Sequence, residues 1–270
     1  MGMIYRNPLV VGLCLSLCCF SAVLPLKAQR AGRLFDGYAQ SVWYDTRDLV
    51  LFPRSLQKDE WWSAGMAVAL TGSAFLVDEA AESAIRESHI RNRDPLWMRY
   101  AITNWGSGIN TGALTATIFT IGAVRHNDRL KWMALLQAKT LGISALGAGF
   151  TKLLFQRHRP EAYTAPPDAW RWEGPVRGAT GNYSFVSSHA FSAFAWATVT
   201  AKSVESKALR VILYSLAGSV GISRVMAGRH WASDVVAGSA LGWFTGSLLY
   251  RLQEKNWKKK PQRSLPQNNE

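Results

Sequence analysis

Apolar residues along the chain gather into long stretches with little charge, separated by short charged or irregular ones, and their lengths predict a helical protein. Residues 61–77 carry no charge and predict a short spanning helix or a well-buried core helix. Residues 100–124 are likewise uncharged, and Gly106, Gly108 and Gly112 give them a small-residue face suited to close helix packing. Further apolar helices are expected at about 132–151, 187–200, 209–222 and 231–250. No period-two alternation competes with them, so the expected fold class is all-α. Residues 78–94, dense in Glu, Arg and His, read as a solvated helix face or linker. Residues 125–131 form a short basic loop. Residues 157–183, rich in Pro, Gly and Trp, are too irregular for a helix, and a long loop in a compact helical domain is usually functional.

The N-terminal run from about 8 to 24 follows Arg6 and precedes Leu26-Lys27-Ala28, the layout of a secretory signal. Residues 1–28 are therefore expected to be a signal peptide, with an uncleaved anchor as the other reading. A lead-in segment with short helical pieces follows at 29–60, then a helical domain at 61–252 and a basic, disordered tail at 253–270. All three cysteines, Cys14, Cys18 and Cys19, lie in the N-terminal run, which excludes a disulfide scaffold and cysteine-ligated zinc elsewhere. A mature chain without cysteine suits an oxidising compartment.

Composition sharpens the picture. Only 18% of residues are charged while 48% are hydrophobic, and twelve are Trp, a balance that leans towards a membrane. The net charge of +13 admits nucleic acid, anionic lipid or a phosphorylated substrate. Basic residues cluster at helix ends and in the tail rather than along one stripe, so no nucleic-acid partner is expected.

Reactive side chains fall at helix ends. Lys152, Arg157 and Arg159 close one apolar helix, which Pro160 is expected to stop, and Ser187, Ser188 and His189 open the next. Ser223 and Arg224 close the following helix, and His230 with Asp234 opens the last. In an up-and-down bundle these four clusters meet on one face. Three cations, Lys152, Arg159 and Arg224, form a socket for an oxyanion, and phosphate fits arginine forks best. The N–H groups at the helix start add to it. Asp234, one turn from His230, can hold one imidazole nitrogen and leave the other free to attack, while His189 can protonate a leaving group.

The pattern Lys152-x6-Arg159-Pro160, Ser187-x-His189 and Ser223-Arg224-x5-His230-x3-Asp234 resembles the three-part signature of the type 2 phosphatidic acid phosphatase superfamily. That superfamily also includes bacterial nonspecific acid phosphatases and vanadium haloperoxidases. The resemblance implies metal-free phosphoryl transfer without a cofactor. His230 would be the nucleophile, Asp234 its orienter and His189 the acid and then the base. Lys152, Arg159, Arg224, Ser187 and the N–H of Ser188 would bind phosphate. The middle part departs from the usual Pro-Ser-Gly-His, having Val186-Ser187-Ser188-His189. His89 and His126 read as solvated loop residues and His158 as loop structure. Arg157 reads equally as a second contact behind the phosphate or a surface charge. Trp170 and Trp172 are expected to line a substrate mouth or rest at a bilayer surface, with the bilayer surface favoured.

The expected whole is a helical bundle, membrane-embedded, with its active site at one end, acting on a phosphorylated lipid or a small phosphate ester. A soluble periplasmic acid phosphatase is the alternative. A haloperoxidase and a non-catalytic lipid-binding or transport protein rank below it. Arg251, Lys255, Lys258, Lys259 and Lys260 favour a cytoplasmic C-terminus, hence an inner-membrane protein with a periplasmic site. A cleaved signal agrees with this only if residues 61–77 do not cross fully. If they cross, the exported N-terminus puts the site in the cytoplasm.

Overall fold

The computed structural model describes residues 38–51, 56, 58–88, 102–160, 168–175 and 183–259. The expectations for the signal segment, for most of the lead-in before Tyr38, for His89 and for residues 260–270 lie outside the described residues. So do 161–167 and 176–182 of the long loop.

Seven α-helices make up the described chain: α1 (Tyr38–Val50), α2 (Lys58–Glu87), α3 (Gly108–Val124), α4 (Asp128–Phe155), α5 (Ser188–Ser203), α6 (Lys207–Met226) and α7 (Ala232–Lys259). A 3-10 turn at Thr103–Gly106 leads into α3. No strand occurs among the described residues, only two isolated bridges, Arg157 to Trp172 and His158 to Tyr183. Helix starts are written locally. Ser107 accepts from Asn110 N, Asn127 from Arg129 N and Leu130 N, and Ser206 from Leu209 N, each answering N–H groups that have no partner within the helix.

Helices α2 to α7 run up and down, so one end of the bundle collects the ends of α2, α4 and α6 and the starts of α3, α5 and α7. Helix α5 is the buried axis, nearly every residue from Ala190 to Ala201 being enclosed. Helix α7 lies against it in parallel through a stripe of glycines. A Cβ at Gly238 would stand 2.6 Å from Ser187 O, at Gly242 2.4 Å from Phe191 O, and at Gly246 2.9 Å from Ala195 O. Only glycine allows that approach. The small residues expected to matter, Gly106, Gly108 and Gly112, divide differently. Gly106 meets Val220 and the His189 carbonyl, whereas Gly108 and Gly112 face open space.

Helix α2 differs from its expectation. The apolar run 61–77 and the charged residues after it form one 30-residue helix. Asp78 and Glu82 are buried while Glu79 and Glu87 are exposed, so up to Ser88 this stretch is solvated on one side only. The four-residue spacing of Asp78, Glu82 and Arg86 puts them on one side, towards α7 and the long loop. Glu60 pairs with Arg251 at the other end. Eighteen residues separate Glu60 from Asp78 and also Ser233 from Arg251, so α2 and α7 match in antiparallel register over about 27 Å. Helix α1 is latched to the same far end, where buried Lys139 of α4 bonds Asp45 Oδ2 at 2.7 Å, Ser41 Oγ and Gln253 Oε1. Helix α7 itself continues to Lys259, seven residues past the boundary expected for the tail.

The outside of the bundle is apolar. Met66, Val68, Leu70 and Leu76 on α2, Ile109 and Val124 on α3, Leu146 and Phe150 on α4, and Val211 and Ile222 on α6 are exposed. Two helices, Glu60–Glu87 and Lys207–Met226, are long and apolar enough to cross a membrane, and little of either is buried.

Candidate active site

At the end of α4 the chain turns sharply. Gln156 takes a left-handed conformation (φ 47°) and its N–H bonds the Lys152 carbonyl. The helix therefore stops four residues before Pro160, and Arg157 and Arg159 lie beyond it rather than on it. Lys152 stays in the last turn. Arg224 closes α6, and Ser188 and His189 open α5, whose N-cap is Ser187. All five of Lys152, Arg159, Ser188, His189 and Arg224 are half-buried, within reach of a solute, whereas Ser187, His230 and Asp234 are buried. The four sequence-distant clusters do converge, since the charges of Lys152, Arg159, Arg224 and His230 all bear on His189.

Protonation in the socket follows from that crowding. Desolvation, then Arg224, His230, Lys152 and Arg159, push His189 down to about 3. Desolvation also takes His230 down to about 4, with Asp234 pulling the other way. Lys152 falls to about 8, from desolvation first and then Arg159, offset in part by Asp234. Both imidazoles are neutral at pH 7 until an anion arrives.

The orientation of His230 is set by the backbone. Its Nδ1 lies 2.8 Å from the Ser184 carbonyl and 3.7 Å from Asp234 Oδ2. A carbonyl only accepts, so Nδ1 carries the hydrogen and Nε2 holds the lone pair. The carboxylate expected to hold the ring stands close by but accepts its hydrogen bonds from elsewhere. Asp234 Oδ2 accepts from Trp231 N at 2.9 Å, and Oδ1 from Arg157 Nη1 at 2.6 Å. Ser184 is itself fixed, its N–H donating to the Arg157 carbonyl at 2.8 Å.

Arg157, which the sequence left between a contact behind the phosphate and a surface charge, is no surface charge. Its side chain is 0% exposed. Nη2 bonds Asp78 at 2.7 Å, Nη1 also reaches Ser233 Oγ at 2.7 Å, and Nε donates to the Ala169 carbonyl at 2.9 Å. Phe75, Trp172 and Trp231 surround the guanidinium with ring centroids 4.6, 5.0 and 5.2 Å away. Trp172 is thus a wall of this cage, while Trp170 is 59% exposed and stacks on Phe75. His158 is half-buried loop structure, its Nε2 against Glu173 at 2.6 Å, and His126 is an exposed turn residue, both as expected. Ser184, Asp78 and Ser233 were not singled out from the sequence. Only the face shared by Asp78, Glu82 and Arg86 could have signalled a partner for Arg157.

Residues 133–258 match the family model described as the PAP2 superfamily. The match takes in just under half of the chain. It spans α5 to α7 and most of α4, and contains every residue of the convergent site. Over 127 residues the chain is 32% identical to a lipid A 1-phosphatase of Porphyromonas gingivalis, covering 46% of this chain and 25% of that protein. Over 108 residues it is 29% identical to a lipid A 4'-phosphatase of the same organism, covering 40% of this chain and 44% of that one. The chain therefore spans less than half of either relative. A transmembrane PAP2-type phosphatidylglycerolphosphate phosphatase from Bacillus subtilis, known by its crystal structure, aligns with a TM-score of 0.50 at 26% identity. That alignment covers 72% of this chain and 94% of the other. The likeness extends well beyond the PAP2 region, and it supports the membrane-embedded helical bundle.

Proposed function

We propose that this chain is a membrane phosphatase that removes phosphate from a lipid phosphate monoester through a phosphohistidine at His230. The observation that carries the reading is His230 Nδ1 standing 2.8 Å from the Ser184 carbonyl, an acceptor that favours the tautomer with Nε2 free to attack beside Lys152, Arg159 and Arg224. Nε2 attacks phosphorus, the P–O ester bond breaks, and the leaving alkoxide takes a proton from His189. Neutral His189 must first be charged, and a phosphate dianion beside it supplies the reason by raising its proton affinity. Water then attacks phosphorus, His189 takes its proton, and phosphate departs with Nε2 regenerated. Lys152, Arg159, Arg224 and the N–H groups at the start of α5 stabilise the transferring oxygens. These side chains supply the neutralising charge that a metal supplies in other phosphatases.

Lipid rather than soluble substrate is supported by the apolar exterior of α2, α3, α4 and α6, and by the substrates named for the similar proteins. The site end lies opposite the basic run after α7, which favours a periplasmic site. The deciding experiment is phosphate release by purified protein from lipid A, phosphatidylglycerol phosphate, a polyprenyl diphosphate and soluble esters. At least one lipid substrate should outpace every soluble one. His230→Ala should lose at least about a thousandfold in turnover, roughly 4 kcal/mol, together with acid-labile phosphate trapping. Wild-type turnover in that variant, or preference for soluble esters, overturns the reading.

A further inference from the structure

Helix α2 lies outside the PAP2 region, and nothing in the three-part signature refers to it. Yet its second half grips the site at three points. Asp78 Oδ2 bonds Arg157 Nη2 and Ser233 Oγ, and Asp78 Oδ1 accepts from Ser233 N at 2.9 Å. Glu79 accepts from Ala169 N at 3.1 Å, next to the carbonyl that Arg157 Nε holds. Arg86, braced by Glu82, donates to the Pro160 carbonyl at 2.9 Å, one residue past Arg159.

We infer that Asp78 is a positioning residue for the reaction, acting through Arg157 on Asp234 and through Ser233 on the start of α7. This rests on the phosphatase reading above. Arg157 and its two carboxylates are fully enclosed, so the guanidinium has no solvent to turn to. It divides between Asp78 on one side and Asp234 on the other, and that division fixes Asp234 3.7 Å from the imidazole, short of a bond with it. The N–H of Ser233, in the first turn of α7, would otherwise go unanswered inside the protein. Asp78 answers it from a different helix. Removing that carboxylate releases Arg157 towards Asp234 and loosens the turn that carries His230. The half-buried socket of Lys152, Arg159 and Arg224 makes none of the contacts recorded for Asp78, so substrate binding should change little.

The test uses the full-length protein in detergent and the monoester that wild type hydrolyses fastest. For Asp78→Asn, taken from the monodisperse size-exclusion peak, kcat should fall at least about tenfold while KM stays within about twofold. The phosphoenzyme should form correspondingly slowly, and Asp78→Glu should recover part of kcat. Arg157→Lys keeps the charge but cannot bridge two carboxylates, and it should show the same split. If Asp78→Asn does not yield folded protein, Arg157→Lys carries the test alone. Wild-type kcat in the folded variant, or a loss confined to KM, overturns the inference. Inactivity of the wild type on every ester instead overturns the phosphatase reading.

Discussion

Lys152 is the cation whose charge is most easily lost, because burial and Arg159 hold it at about 8. Below that value the socket has all three cations, and above it only two. kcat/KM, which reports the free enzyme, should therefore fall as pH rises through about 8, and Lys152→Arg should remove that alkaline limb. His189 gives the opposite handle. An anion that raises its proton affinity must bind with proton uptake, so sulfate, whose own charge is constant over this range, should inhibit more tightly as pH falls from 8 to 5. Titration calorimetry in two buffers of different ionisation enthalpy checks the uptake, and pH-independent inhibition contradicts it. All eight candidate site residues could be named from the sequence because each sits beside a helix end at a fixed spacing. The partner of the His230 ring was not. Main-chain carbonyls leave no trace in side-chain patterns, and Ser184 lies 46 residues away.

At the level of helices, apolar runs gave the existence and order of α2 to α7, because uninterrupted apolar runs of this length rarely adopt another form. Boundaries moved where charge lay inside a helix. The Asp78 end of α2 looked solvated because an isolated pattern cannot show that Arg157 waits opposite. Glycine was legible as a packing residue but not as to where, since space depends on the neighbour. The α5–α7 contact makes that difference measurable. Gly242→Ala places a methyl 2.4 Å from the Phe191 carbonyl and should lower stability by about 1–3 kcal/mol, because backbone rather than a flexible side chain must yield. Gly112→Ala, in open space within α3, should instead raise it by up to about 1 kcal/mol. Thermal midpoints of both variants in one detergent compare them directly.

For the molecule as a whole, α2 traverses the bundle from the Arg251 end to the Arg157 end, so the start of α2 and the basic run after α7 share one side. A periplasmic site then places residue 58 on the cytoplasmic side. In a background with Cys14, Cys18 and Cys19 changed to Ser, a membrane-impermeant maleimide added to intact cells should label Trp170→Cys at the site end. It should not label Lys207→Cys at the far end, where α6 begins. The reverse pattern would put the site in the cytoplasm.

The matched anchors of α2 and α7 also carry an evolutionary consequence. A charge at position 78 is tolerable only while position 157 answers it, and each is enclosed so completely that neither can drift alone. Homologues should therefore change the two together. Where the second helix lacks a carboxylate, the residue two before the socket arginine should be neutral, and sequences mixing the two states should be rare. The half-buried partners at the other end, Glu60 and Arg251, remain in contact with solvent and should vary independently. An alignment deep enough to count paired substitutions would show strong covariation at one end of the same two helices and little at the other.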